Sequence, residues 1–412
     1  MADDVTCIYC QSAGPFSDEH VIPAGLGGDD RDWLLKDVVC AVCNTKVFSP
    51  LETKVMRSSP LAIARLFYQS RSRDRGGKTV APTIQAPVSY FDDTGSGLLL
   101  EQQLGSGGQS TVHPQVIVVP PNNITVAGSD VATMNALVDE LRSLPDTLTI
   151  CEKFRDGVEV RFDLTPLTWN GRSYVVGVAA GHNKAPADAI WLEPLELPAT
   201  EIVGILTPRV FRRSKGPMVC RADSLADAAV LLSFVRANHE VLAVPADATA
   251  TATETPGIHF RQTMDEDAYD RVLTKIGINL CAHLFGAEAV RAPAFDQARE
   301  FARTGSGRVR MLPVDQAKQL TDKFPRLPRH HLLVVLIEPA SAGQVGHAAV
   351  LMQFYGGLMH AVVVAQGSSG LPSTSDLIYV VVDYEANSIT RCTPDQFAEY
   401  AIRVGAEMPF PF

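Results

Sequence analysis

Residues 7–28 read CIYCQSAGPFSDEHVIPAGLGG, and residues 40–44 read CAVCN. Cys7, Cys10, Cys40 and Cys43 therefore form the pattern C-x2-C-x29-C-x2-C. Two tight thiol pairs meeting at one point supply the tetrahedral all-sulfur set that Zn2+ prefers, and zinc bound in this way stabilises small folds outright. A redox CxxC would need only one pair and a βαβ context, which the surrounding sequence lacks. Residues 1–48 are dense in Cys, Gly and Asp and show little apolar periodicity. Such a stretch cannot build a large core unaided, so a structural Zn2+ on the four cysteines is the expectation.

Between the two pairs stands Glu19-His20, with Pro23 and Gly25, Gly27 and Gly28 just behind it, and Asn44 follows the last cysteine directly. A carboxylate beside an imidazole, with a further ligand after the second pair, could hold one divalent ion and leave His20 to activate water. A solvated Asp-Glu-His turn accounts for the same residues equally well. There is also a geometric difficulty, because neighbours on a regular strand point to opposite faces. Glu19 and His20 can share a site only at a strand end, where the glycine-rich turn allows it.

The order CxxC, DEHVIP, LGG, then CxxC followed by Asn resembles the zinc-ribbon members of the HNH endonuclease family. The resemblance covers about 50 residues, from Cys7 to roughly Arg57, and implies a ββα-metal fold for that part. By the same resemblance Glu19 is a metal ligand, His20 the general base and Asn44 the second ligand. It further implies that one Mg2+ or similar divalent ion, held by Glu19, Asn44 and waters, contacts the scissile phosphate of DNA. One position departs from the family pattern: Leu35 stands where an Asn usually braces the loop. Asp18 and Glu52 are the fallback ligands, with Glu52 expected mainly as a helix-capping residue.

The formal charge of −10 argues against a chain that coats nucleic acid or anionic membrane along its whole length. Residues 1–80 are neutral, with ten basic and ten acidic side chains, but residues 36–80 hold nine basic against three acidic. Lys46, Lys54, Arg57, Arg71, Arg73 and Arg75 are accordingly the expected contacts to backbone phosphates of double-stranded DNA. No basic, then apolar, leader follows Met1. Cys151, Cys220, Cys281 and Cys392 are scattered singly, so a cytoplasmic protein with reduced thiols and no membrane partner is the expectation. The longest apolar run, Ala348 to Ala365, is interrupted by Gly356-Gly357 and reads as a buried β-hairpin.

The predicted fold class is α+β: an N-terminal zinc-stapled module, then a larger mixed region ending in an antiparallel β-meander. Three spans are expected: 1–75 for the nuclease module, 76–243 for a β-rich α+β region, and 258–412 for helices, meander and terminal helix. Helix starts are read at Ser49-Pro50, Ser59-Pro60, Asp130, Ser224, Asp265 and Thr393-Pro394, an exit linker at 71–77, and a second linker at 244–257. GGKT at 76–79 ends like a P-loop, but Ser72 holds the first glycine position and no apolar strand precedes it. His330-His331 reads as entry to a strand, and PRVFRRSKG at 208–216 as an exposed basic turn. Trp33, Trp169 and Trp191 are too far apart in sequence to suggest a stacking platform.

Together these readings give a metal-dependent endonuclease cleaving DNA, with a C-terminal regulatory or targeting region. By analogy of architecture that region suggests a regulated antiphage-type effector, with a small-molecule activator and homo-oligomer assembly among its expected partners. The competing reading is a zinc-ribbon nucleic-acid-binding or ligand-sensing scaffold without catalysis.

Overall fold

A computed structural model describes residues 6–28, 31–70, 81–86, 88–119, 123–156, 159–197, 204–214, 216–244, 257–341, 345–367, 370–372 and 377–406; side chains 155, 156 and 159 are also set aside. Arg71, Arg73, Arg75, the exit linker and most of the 244–257 link lie outside the described residues. Contacts divide the chain into two compact units. The first joins 1–85, 105–108 and 263–412, and the second holds 86–104 and 109–262. The expected break at 75/76 is thus not where contacts separate, and the last strand of the second unit, Gly257–Arg261, runs past the expected boundary at 258.

In the first unit the two cysteine knuckles enclose a short antiparallel hairpin, Glu19–His20 against Leu34–Leu35. A helix follows at once. It is wound as a π-helix over Cys43–Phe48, where the Ser49 N–H donates to the Asn44 carbonyl five residues back, and continues as an α-helix over Ser49–Val55. Ser49 therefore lies inside a running helix rather than capping one, which corrects that expected start. Ser59 does cap: its hydroxyl accepts from the Ala62 N–H, Pro60 sits at the first position, and the helix runs Pro60–Tyr68.

The spine of this unit is the long helix Glu266–Phe285, whose first turn is capped by the Asp265 carboxylate. Every residue from Ala268 to Ala282 is buried except Asp270 and Arg271, so the helix is packed nearly all round. One side lies on a five-stranded antiparallel sheet. Gly277 is pressed so closely there that a β-carbon would come within 2.6 Å of a Val364 methyl. The sheet alternates by face, with Leu333, Val335 and Ile337 towards the long helix and Leu332 and Val334 towards the C-terminal helix Pro394–Arg403.

The apolar run at 348–365 is the expected hairpin, Gly346–Gln353 with Met359–Gly367. The meander holds for three strands and then breaks. Ile378–Asp383 returns to the far edge of His330–Glu338, giving the spatial order 359–367, 346–353, 330–338, 378–383, 388–392. Among the described residues no helix is long and apolar enough to cross a membrane.

The second unit is built on a nine-stranded mixed sheet and a separate four-stranded antiparallel one. Strand Ile190–Glu193 pairs in parallel with both Thr147–Asp156 and Met218–Arg221, and helices Val131–Arg142 and Leu225–Ala237 cover the core. Here the expected exposed basic turn is corrected. Arg209–Arg212 is a strand, and Arg209 is fully buried.

Candidate functional site

Two knuckles bring the thiols together. The Gln11 N–H donates to the Cys7 carbonyl and the Asn44 N–H to the Cys40 carbonyl, each closing a tight turn. Backbone N–H groups also point at sulfur, Cys40 to the Cys7 Sγ at 3.3 Å and Cys43 to the Cys40 Sγ at 3.4 Å. All four Sγ atoms lie within 4.8 Å of one another. A tetrahedral zinc with Zn–S near 2.3 Å spaces its sulfurs by about 3.8 Å, so this set fits that ion. A hydrogen bond from Cys43, above all, holds the Cys7 thiol below the ordinary thiol range. Among the described residues it is the one group of three or more His, Cys, Asp or Glu gathered at metal distance.

Next to the staple lies a cavity of about 410 Å³ whose wall includes Glu19, His20, Asn44, Glu52, Arg57 and Arg65. The three residues expected to act together therefore meet on one surface. The turn behind His20 is what makes this feasible. Gly27 has φ +79°, and a β-carbon on it would sit 2.6 Å from the Tyr384 backbone, while one on Gly28 would strike the Ile22 carbonyl. The difficulty with neighbouring side chains also shows. Glu19 is buried and His20 only half-buried on the two-residue strand.

Asn44 braces the loop: its amide donates to the Ser17 hydroxyl at 3.1 Å and to the Asp18 carbonyl at 2.9 Å. Glu19 turns inward and forms a buried ion pair with Lys275, and Glu52 meets the same ammonium at 2.5 Å. Asn279, one helical turn on, donates to the His20 carbonyl at 3.0 Å and accepts from the Tyr9 hydroxyl at 2.6 Å. Burial alone would lower the Lys275 ammonium, but the Glu19 and Glu52 carboxylates outweigh it and hold the group charged, well above the ordinary lysine range.

Glu52 is thus a second carboxylate of the site and does not cap a helix start. With Lys275 between them, Glu19 and Glu52 do not offer a divalent ion a place. A second cation there would meet an ammonium at contact distance. As arranged, the residues do not fit the Mg2+ that the family resemblance implies.

The expected phosphate contacts divide. Arg57 lies on the cavity wall and Lys46 is exposed on the helix, but Lys54 is paired with Asp265, and Arg71, Arg73 and Arg75 lie outside the described residues. Sequence reasoning counted Arg65 only within the basic run and missed Lys275 and Asn279. Arg65 is buried against the cavity, its Nε donating to the Gln69 side chain at 3.1 Å. Lys275 and Asn279 left one signal: two polar residues four apart in an otherwise apolar helical run, which places both on one face of a buried helix.

Compared with protein-family models, with curated proteins and with solved structures, the chain matches none of them.

Proposed function

We propose that the chain is an endonuclease that hydrolyses phosphodiester bonds in DNA at the His20 cavity. The observation that carries this reading is the meeting of Glu19, His20 and Asn44 on one cavity wall beside a four-cysteine cluster. Glu19 is held by Lys275, and the roles fall to His20, Asn44 and two arginines. An imidazole nitrogen can accept a proton, so His20 takes the proton from the attacking water. Its backbone is fixed by the Asn279 amide on its carbonyl, and the residue lines the cavity. Asn44 keeps the preceding loop in place through Ser17 and Asp18. Arg57 and Arg65 supply the positive charge that a phosphate entering the cavity, and the extra charge of its transition state, requires. No step is assigned to a divalent ion.

One observation favours the second reading, a zinc-stapled nucleic-acid-binding or scaffold protein without catalysis: an ammonium stands where the metal of an HNH centre is expected. The two readings separate on His20. Purified, zinc-replete protein is incubated with supercoiled plasmid and Mg2+ or Mn2+, beside His20→Ala. The nuclease reading expects nicked or linear DNA from the wild type and a loss of at least about a hundredfold in the variant, with DNA retention in a gel shift unchanged. Equal cutting by both, or none by either, removes the nuclease reading.

A further inference from the structure

Three separate stretches of chain meet at the Lys275 ammonium. Glu19 comes from the hairpin, Glu52 from the helix after the second knuckle, and Lys275 from the long helix more than 200 residues away. The side chains of Lys275 and Glu19 are 1% and 4% exposed, and that of Glu52 is 23% exposed. Phe48 places its ring 5.9 Å from the ammonium, and the neighbouring Asn279 ties the same helix face to Tyr9 and His20. Carboxylates converging from two elements on one point are what a hard divalent cation selects.

We propose that Lys275 is a built-in occupant of a carboxylate cation site, and that a divalent ion enters between Glu19 and Glu52 only when Lys275 is taken away. A tethered ammonium competes at a far higher effective concentration than an ion in solution, and the two cations exclude each other at this distance. The occupant belongs to residues 263–412, so the cation position beside the N-terminal hairpin is filled from the C-terminal part of the same unit. The disagreement with the family pattern is thus a property of this chain: an ammonium takes the place of the ion. The inference concerns the cation position alone, so it stands or falls independently of DNA cleavage.

The test uses the full-length, zinc-loaded protein and Mn2+ as probe, with binding followed by electron paramagnetic resonance. Wild type is compared with Lys275→Ala, Lys275→Met, Lys275→Arg, Glu19→Gln and the double variant Lys275→Ala/Glu52→Gln. Zinc content and the melting transition report folding. Lys275→Ala and Lys275→Met should each gain one Mn2+ site, roughly tenfold or more tighter than any binding by wild type. The double variant should lose that site, and Lys275→Arg should not acquire it. Neutral variants that keep zinc and fold yet gain no site overturn the proposal. So does a stoichiometric Mn2+ site in the wild type that Glu19→Gln abolishes, a result that needs no folded Lys275 variant.

Discussion

At the scale of single residues, Glu19 lines the same cavity as His20 and Asn44, but its charged partner lies outside the motif. Its position beside His20 and its approach to Asn44 follow from the spacing of the cysteine pairs. Its partner, Lys275, lies 256 residues away, and no local pattern reports a contact of that separation. The helix that carries Lys275 is fixed on another side by Tyr269, whose hydroxyl meets the His360 Nε2 at 3.0 Å. Burial depresses the His360 imidazole from 6.5 to about 4. Above pH 6.5 it is neutral in both the folded and unfolded chain. Between 6.5 and about 4 only the unfolded chain binds the proton, so stability present above 6.5 is lost as pH falls through that window. The loss at this residue is about 3 kcal/mol. Chemical denaturation at pH 7.5 and pH 4.5 should show a smaller difference for His360→Gln than for wild type, and an unchanged difference would place the acid sensitivity elsewhere.

At the scale of elements, most helix starts were legible because the caps are local chemistry. Ser59, Asp130, Ser224, Asp265 and Thr393 each accept a backbone N–H with the side chain, as their types and positions indicate. Ser49 has the same signature and fails, because the second knuckle already starts a helix at Ala41 and the π-wound turn carries it past Ser49. Four strands of the C-terminal sheet were legible as apolar runs, but their order was not, and the fifth, Ser388–Cys392, is mostly polar and exposed and left no such signal. The return of Ile378–Asp383 to the edge of His330–Glu338 is a choice of tertiary packing. Gly277 gives an element-scale test. Alanine is the better helix former by about 1 kcal/mol, yet its methyl would meet Val364 at 2.6 Å in the helix–sheet seam. Gly277→Ala should therefore destabilise the protein by about 1–3 kcal/mol in denaturant unfolding, and a gain in stability would show that the seam has room.

At the scale of the whole molecule, the division into units was the least legible feature. A cysteine-dense N-terminus followed by a basic segment reads as a module with a linker, and contacts along the chain say nothing about what its apolar face is buried against. In the first unit that face shares one core with the long helix and sheet: Ile8, Ile22, Leu26 and Phe48 lie in the same cluster as Ile276, Leu280 and Val350. Trp33 stacks on His283 at 4.3 Å, and the Arg299 guanidinium donates to the Ile8 carbonyl. The staple and the spine should accordingly open together. Native-state hydrogen exchange, with and without a zinc chelator, measures this directly. Chelation should strip protection from the amides of Glu266–Phe285 in step with those of residues 7–55. A long helix that keeps its full protection while residues 7–55 exchange freely would contradict a candidate site built jointly by both ends of the chain.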